Sequence, residues 1–264
     1  MVLPKTHTQL SRITNNYLEY YFEELKFLLF PLYEYKQGNC HNLTHFASLI
    51  LRSYGVQHKK IWIYAPTRYS ENSKQTIQLP DPNQLSPNGL LTWGFHVALL
   101  LEYDGIELVF DFFIDSSKPL AVGEWLERMH AKKFFVDIVQ PDYYLFYSTP
   151  SATKKNGLFS GEYFLYEGLC REEKWIAKGL AINDTAVEFY KREWFNFKYN
   201  TPQTIDYKWL VGRVNNFECV LRDASINKKM TVEFQEKHAS LIAEYREVYA
   251  QKLEKWTEKL GIYL

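Results

Sequence analysis

The sequence contains few cysteines: only Cys40, Cys170 and Cys219 occur among its 264 residues. Three cysteines are too few for a disulfide framework. None of them forms a CxxC pair of the kind that binds zinc or exchanges electrons. Each cysteine is therefore considered alone, either as a packing residue or as a reactive thiol.

An excess of charge of either sign is also lacking, since 31 Lys and Arg residues balance 31 Asp and Glu residues. A neutral chain has no general attraction for nucleic acid or anionic lipid, so we expect neither as a partner. The apolar runs are much shorter than the roughly 20 residues that span a bilayer, so we expect no membrane association. The N-terminal residues show no secretory signal pattern. We therefore expect residence in the cytoplasm, with export by a signal-independent machine left open.

Helical periodicity is clearest in two segments of the first half. Apolar residues recur at helical spacing from Asn15 to Glu34, which predicts an amphipathic helix. They recur every three to four positions from Cys40 to Tyr54, and Gly55 follows as a suitable left-handed C-terminal cap. The second segment therefore predicts a helix with Cys40 in its first turn.

Strand patterns follow. The residues Lys60–Ala65 are β-branched and aromatic, which predicts a strand. Two apolar runs, Phe95–Tyr103 and Ile106–Phe113, are separated by Asp104-Gly105, a strong signal for a two-residue hairpin turn. Residues 66–91 are rich in proline and predict one long irregular loop, a kind of loop that is often functional.

The sequence predicts a mainly helical second half of the chain. Ser148–Gly161 is rich in Ser, Thr, Lys and Gly and predicts a boundary. The remaining predicted elements are helices over Val122–Lys133, Glu172–Phe195, Thr204–Leu221 and Met230–Leu260, and strands over Phe134–Val139 and Tyr143–Tyr147. We expect an α+β core over residues 1–150 and a mainly helical extension over residues 151–264 packed on that core.

Cys40 is the candidate nucleophile. A cysteine in the first turn of a helix is close to unpaired backbone N–H groups and to the positive end of the helix dipole, and both favour the thiolate. Cys170 and Cys219 follow helical apolar patterns and are interpreted as packing residues.

The predicted hairpin supplies a base for this thiol and an acid that orients the base. A two-residue turn at Asp104-Gly105 sets a register in which Asp111 and Asp115 are both diagonal neighbours of His96 on one face. Diagonal neighbours are about 7–8 Å apart, within reach of a carboxylate and an imidazole. Asp115 directly precedes the turn-forming stretch Ser116–Pro119, and its carboxylate can stabilise this turn by hydrogen bonding to the backbone. We therefore predict His96 as base and Asp111 as acid, with Asp115 as the alternative acid.

The strands that carry His96 and Asp111, with the later Tyr143-Tyr144-Leu145, resemble the amino-terminal glutamine amidohydrolases. Three segments resemble the protein-glutaminase family and its deamidase relatives. They are GNCHNLTHFASLILRSYGV, KIWIYA and WGFHVALLLEYDGIELVFDFFIDSSKPLAVGEWL, within about residues 36–150. In that pattern a cysteine begins a helix, a histidine follows an aromatic residue in a strand, and an aspartate lies on the next strand. The matching positions are Cys40, His96 and Asp111. The resemblance implies a Cys-His-Asp triad on a papain- or transglutaminase-like core, with the cysteine helix packed on an antiparallel sheet.

Such a triad implies acyl transfer. The Cys40 thiolate attacks an amide carbonyl, His96 protonates the departing ammonia or amine, and water or another acceptor resolves the thioester. The backbone N–H of Cys40 would form an oxyanion hole, with Gln37, Asn39 or Trp93 as candidate second donors. This chemistry requires no cofactor and no metal.

The resemblance favours a deamidase that acts on glutamine side chains of a protein or peptide. A cysteine peptidase or a transglutaminase-like enzyme would use the same chemistry and is one alternative. The other is a non-catalytic interaction module, in which Cys40 is inert and the helix Met230–Leu260 binds a partner. His41 and His45 are four residues apart, but no third ligand accompanies them at a suitable spacing, so we expect no metal site.

Overall fold

The structure is a computed structural model that describes residues 7–29, 32–70, 72–82, 89–153, 159–198, 232–237 and 239–264. Its α-helices are α1 (His7–Leu29), α2 (Cys40–Ser53), α3 (Val122–Arg128), α4 (Leu169–Glu172), α5 (Trp175–Lys198), α6 (Val232–Lys237) and α7 (Ala239–Gly261). Its strands are β1 (Lys59–Tyr64), β2 (Ile77–Pro80), β3 (Leu90–Trp93), β4 (Phe95–Tyr103), β5 (Ile106–Phe110), β6 (Leu120–Ala121), β7 (Phe135–Val139), β8 (Tyr143–Thr153) and β9 (Phe159–Leu165). Short 3₁₀ turns span Leu32–Glu34 and Pro66–Arg68.

A five-stranded antiparallel sheet forms the centre of the first half, in the order β6-β5-β4-β1-β7. The β4–β5 hairpin has the predicted register, with Tyr103 opposite Ile106 and Leu99 opposite Phe110. Asp104 and Gly105 both have positive φ, 53° and 76°, as a type I′ turn requires. The two-residue turn predicted from the sequence is confirmed.

Helix α2 packs against β4 and is buried from Cys40 to Leu51. Thr44 Oγ1 donates a hydrogen bond of 2.9 Å to the carbonyl of Val97, which ties the helix to this strand. The helix ends as predicted, since the Gly55 N–H bonds to the carbonyl of Arg52 at a φ of 71°. The start of α2 is thereby held against the central strands.

Several predicted elements differ in extent. The helix predicted over Asn15–Glu34 spans His7–Leu29, and Leu32–Glu34 forms a 3₁₀ turn and not the end of this α-helix. The helix predicted over Val122–Lys133 ends at Arg128, just before His130 adopts a φ of 48°. The loop predicted over residues 66–91 includes β2 and the start of β3, which pair as a two-stranded sheet.

The predicted strand over Tyr143–Tyr147 is longer than expected. It is β8, which pairs with β9 in a hairpin that extends across residue 150. Helices then follow, and the helix predicted from Glu172 is divided at Lys174, whose φ is 55°. The helix predicted over Thr204–Leu221 lies outside the described residues, and so does Cys219.

The helices of the second half pack on α2. Helix α5 contacts α2, and α7 contacts α5. Asp184 of α5 is buried and accepts hydrogen bonds from Lys255 Nζ at 2.8 Å and from Trp256 Nε1 at 2.9 Å, which join α7 to α5. The predicted α+β class, an antiparallel sheet with helices, is confirmed. None of the helices in the described ranges has the length and apolar character needed to cross a membrane.

Candidate active site

Cys40 is the first residue of α2 and lies almost completely inside the molecule, with 8% of its surface exposed. The preceding residue, Asn39, has left-handed backbone angles, φ 64° and ψ 21°, which asparagine tolerates better than most residues. The Asn39 carbonyl accepts from the N–H groups of Asn42 and Leu43, at 3.0 and 3.2 Å, and so starts the helix. The Cys40 N–H, one residue into the helix, belongs to the first turn, whose donors have no partner within the helix.

His96 lies in β4, directly opposite Ile63 of β1, and its side chain is fully buried. The Trp93 ring stacks on the imidazole, with centroids 4.6 Å apart and an angle of 15° between the planes. Phe113 approaches the imidazole with its edge, at 5.6 Å between centroids. The aromatic rings restrict the imidazole to one orientation.

Asp111 is the residue directly after β5 and is also buried. Its Oδ2 accepts from His96 Nε2 at 2.7 Å and from Trp125 Nε1 at 2.6 Å, and its Oδ1 accepts from the Phe113 N–H at 3.0 Å. Burial raises the pKa of this carboxyl. The charge of His96 and the three hydrogen bonds outweigh burial and hold the pKa below its usual value. Asp111 is thus an ionised acceptor bonded to the candidate base.

Cys40 is the other neighbour of this imidazole. Burial of His96 lowers its pKa, but the charge and hydrogen bond of Asp111, together with the hydrogen bond and charge of Cys40, raise the pKa to about 10. Because Nε2 is bonded to Asp111, Nδ1 is the ring nitrogen that remains for the Cys40 sulfur. Nδ1 makes no hydrogen bond of ordinary geometry, so the sulfur–imidazole contact is a loose one.

Asp115 is not a neighbour of His96, contrary to the predicted register. The ladder between β4 and β5 ends at Phe110, and Asp115 lies in a turn, where its N–H bonds to the Asp111 carbonyl at 2.9 Å. Its carboxylate accepts from the Ser117 N–H and from Arg128 Nη1, both at 2.7 Å. Asp115 therefore stabilises the turn and connects it to α3. Of the two aspartates, Asp111 is the one that bonds to the imidazole.

The three predicted oxyanion donors surround the start of α2, and each donates to another acceptor. Gln37 Nε2 donates to Asp81 Oδ2 at 2.7 Å, and Asn39 Nδ2 donates to Asn183 Oδ1 at 3.0 Å. Trp93 Nε1 donates to the Lys36 carbonyl at 3.2 Å. An amide group has a second N–H, whereas an indole has only one. Gln37 and Asn39 therefore retain a donor that Trp93 does not.

Sequence reasoning missed Trp125 and Tyr64. Trp125 of α3 is fully buried and its N–H bonds to Asp111. A buried tryptophan normally finds an acceptor for its N–H, and this was the available signal. Tyr64 of β1 donates a hydrogen bond of 2.7 Å to the Tyr163 hydroxyl, and burial and this bond, with a smaller contribution from the charge of Cys40, raise the pKa of Tyr64.

The remaining histidines of α2 belong to the core. His41 and His45 are buried, and burial, with the charge of Lys60, lowers the pKa of His41 to about 3. His45 Nδ1 contacts Lys60 Nζ, which also donates to the Tyr143 carbonyl at 2.7 Å. Among the described residues, no group of three or more His, Cys, Asp or Glu side chains is arranged to hold a metal ion. Cys170 is buried in α4, and burial raises its pKa.

Comparison with known families gives a match over the segment that contains Cys40, His96 and Asp111. Residues 21–129 match the model of a family described as glutaminase, a group of glutamine deamidases. The resemblance to protein-glutaminases predicted from the sequence is confirmed by this match, as is the assignment to hydrolases of amide C–N bonds. No curated protein matches the chain.

Solved structures of protein-glutaminases are also similar to this chain. The NMR structure of protein-glutaminase from Chryseobacterium proteolyticum is 17% identical, with 55% of this chain and 71% of that chain covered and a TM-score of 0.38. A crystal structure of protein-glutaminase is 18% identical, with 56% of this chain and 77% of that chain covered and a TM-score of 0.37.

Proposed function

We propose, from the match of residues 21–129 to a glutaminase family, that this protein is a cysteine-dependent deamidase of glutamine side chains in a protein or peptide. Cys40 is the proposed nucleophile, His96 the general acid and base, and Asp111 the residue that orients His96. The observation that carries the proposal is the buried Asp111–His96 hydrogen bond of 2.7 Å beside Cys40, at the start of a helix.

The reaction follows from these positions. The Cys40 thiolate adds to the carbon of the glutamine amide, and the oxygen takes up the electron pair. His96, protonated because of Asp111, gives its proton to the amide nitrogen as the C–N bond breaks, and ammonia leaves. Water then attacks the thioester, with His96 accepting its proton, and a glutamate side chain and the Cys40 thiol are released.

The oxyanion of both tetrahedral intermediates needs donors near the sulfur. The Cys40 backbone N–H is one, because it lies in the first turn of α2. The second is proposed to be the remaining amide N–H of Gln37 or Asn39, since the single N–H of Trp93 already bonds to Lys36.

The burial of Cys40 supports a side-chain amide as the substrate. Only 8% of Cys40 is exposed, and the neighbouring Trp93 is exposed to the same small extent. A glutamine side chain is slender and carries its amide at the end of a flexible stem. A backbone amide lies between two bulky chain segments and would need a wider groove.

We also propose a more specific fold for the first half of the chain. A helix that begins with the nucleophile and packs on an antiparallel sheet carrying the base is the arrangement expected of a papain- or transglutaminase-like core. We propose that residues 1–150 contain the catalytic groups and that residues 151–264 pack on them as an extension. Residence in the cytoplasm, with signal-independent export as its alternative, stays a prediction that cell fractionation tests.

The test is ammonia release from glutamine-containing peptides and proteins, with glutamate formation followed by mass spectrometry. Cys40→Ala should abolish release while circular dichroism stays unchanged, and Cys170→Ala, the matched control, should release ammonia at the wild-type rate. Peptide-bond cleavage or amine incorporation would assign the site to a peptidase or a transglutaminase-like enzyme instead. If no thiol-dependent turnover occurs and iodoacetamide modifies Cys40 no faster than Cys170, the chain is a non-catalytic module.

A further inference from the structure

One side chain of the second half contacts the residue that precedes the nucleophile. Asn183 lies in α5 and is 1% exposed, and its Oδ1 accepts the hydrogen bond of 3.0 Å from Asn39 Nδ2. Its own Nδ2 donates to the Leu32 carbonyl at 3.4 Å. Asn183 thus connects the 3₁₀ turn after α1 with the start of α2.

Asn39 is the residue whose conformation determines the direction of the next peptide group. Its left-handed backbone is unfavourable for residues with a side chain by about 1–2 kcal/mol, less for asparagine. The Asn39 side chain makes no capping hydrogen bond to α2 and bonds to Asn183 instead. The peptide group between Asn39 and Cys40 carries the Cys40 N–H. The angles at Asn39 therefore determine where this N–H and the adjacent sulfur point.

Helix α5 is packed unusually close to α2 at this position. Gly179 lies one turn before Asn183, and a Cβ atom at Gly179 would be 1.8 Å from Asn42 Nδ2. Glycine within a helix is unfavourable by about 1 kcal/mol relative to alanine, so the close approach is what requires it here. This approach allows the short side chain of Asn183 to reach Asn39.

We propose that Asn183 is a positioning residue: it holds Asn39 in the left-handed conformation that aligns the sulfur and backbone N–H of Cys40 with the substrate amide. The inference rests on the proposed function and deepens it, because it gives the helical half of the chain a part in the reaction. It predicts that losing the Asn39–Asn183 bond slows the chemical step more than it weakens substrate binding.

The first test compares two substitutions of similar size. Asn183→Leu removes the acceptor for Asn39 Nδ2, whereas Asn183→Asp keeps an oxygen there. For Asn183→Leu we expect kcat to fall about 10-fold to 100-fold with little change in KM, since small misplacements of reacting groups have effects of this size. The rate of Cys40 alkylation by iodoacetamide should fall in parallel. Asn183→Asp keeps the acceptor for Asn39 but turns an oxygen towards the Leu32 carbonyl, so it should recover part of both rates.

Thr185→Val is the matched control on the same helix. Thr185 is fully buried, and its hydroxyl bonds to the Ala181 carbonyl within α5 at 2.7 Å. This variant should shift the urea midpoint and leave kcat and the alkylation rate unchanged. If Asn183→Leu behaves in the same way, lowering only the urea midpoint, the positioning role is wrong. If Asn183→Leu does not fold, Asn183→Ala takes its place with the same expected losses.

The second test is a double-mutant cycle with Asn39→Gly. Glycine adopts the left-handed conformation without a side-chain bond, so Asn183→Leu should cause no further loss of kcat in the Asn39→Gly background. Additive losses would show that Asn183 does not act through Asn39. Alkylation needs no substrate. If wild-type protein deamidates nothing, the proposed function fails while the alkylation rates still decide the role of Asn183.

Discussion

Replacing Asp111 with asparagine is the sharpest test of the site, because the hydrogen bonds of this carboxylate leave no good orientation for an amide. Two donors, His96 Nε2 and Trp125 Nε1, point at Oδ2, and the Phe113 N–H points at Oδ1. An asparagine can place its oxygen on only one side, so its NH₂ group must face at least one N–H. The unpaired donor should lower the free energy of unfolding by about 1–3 kcal/mol.

The effect on catalysis should be larger. Asp111 is the main group that raises the pKa of His96, against burial, from 6.5 to about 10. At 1.36 kcal/mol per pKa unit, this difference corresponds to at most roughly 5 kcal/mol of stabilisation of the imidazolium. The substitution also disturbs the hydrogen bond that orients the His96 ring. We therefore expect Asp111→Asn to lower kcat by about 10⁴-fold, the effect of an Asp→Asn substitution in a serine protease triad.

The pH dependence of stability gives a second readout. A raised His96 pKa stabilises the fold fully below pH 6.5, and this stabilisation is lost as the pH rises through about 10. A lowered Asp111 pKa stabilises the fold above pH 3.8, and this stabilisation is lost as the pH falls through the folded value. The urea midpoints of wild type and Asp111→Asn should therefore differ most between pH 3.8 and 6.5 and converge towards pH 10.

The assay measures ammonia release, circular dichroism and urea midpoints for Asp111→Asn and for the control Asp115→Asn. Asp115 bonds to Ser117 and Arg128 at the edge of the molecule, so its substitution should reduce stability by about 1 kcal/mol or less and leave kcat unchanged. The reasoning is wrong if Asp111→Asn retains kcat within about 10-fold of wild type, or if Asp115→Asn causes the larger loss.

Three further predictions concern the surroundings of the imidazole. The alkaline limb of kcat/KM should lie near pH 10, since His96 must stay protonated to donate to the leaving group; a limb near 6.5 would contradict the raised pKa. Trp125→Phe removes the 2.6 Å bond to Asp111 but keeps a ring, so kcat should fall about 10-fold. Because that bond helps to lower the Asp111 pKa, acid unfolding should begin at a higher pH than in wild type, and unchanged acid unfolding would refute the role given to the bond. Trp93→Phe loses the bond to Lys36 and keeps a ring stacked on His96, whereas Trp93→Leu loses both contacts. The leucine variant should therefore show the lower kcat, and equal kcat values would mean that the stacking on His96 contributes nothing.

Local signals in the sequence were sufficient for the parts of the site that short-range geometry determines. The turn at Asp104-Gly105 fixes the register of the hairpin, because both residues accept positive φ. The apolar period from Cys40 and the cap at Gly55 define α2 for the same kind of reason. These features bring the segments of His96 and Asp111 together without any information about the rest of the chain.

The end of β5 was mispredicted because a side chain competes with the ladder. The apolar run that begins at Ile106 predicts a strand that continues to Phe113. In the structure Asp111 Oδ1 takes the N–H of Phe113, so this donor is not available to a neighbouring strand. The chain turns there, and Asp115 leaves the face that the pattern assigned to it.

Partners far apart in the sequence could not be predicted from it. The predicted loop over residues 66–91 contains strand-like residues, which pair as β2 and β3. This small sheet is bonded to a segment far away in the sequence, since Trp93 donates to the Lys36 carbonyl and Asp81 accepts from Gln37. The bond between Asn39 and Asn183 joins two ordinary polar residues with no periodic signal in either segment. Such contacts arise only once α5 has been placed against α2.

The two hydrogen bonds around the nucleophile differ greatly in the length of chain that they close, and this has a consequence for synthesis on the ribosome. The His96–Asp111 bond joins residues 15 positions apart through one tight turn, whereas the Asn39–Asn183 bond joins residues 144 positions apart. Contacts between nearby residues form fast, and distant ones wait for the later segment to emerge. A nascent chain that ends before α5 would therefore carry a paired base and acid beside an unaligned thiol. Deamidation would begin only after α5 has been made and has packed against α2.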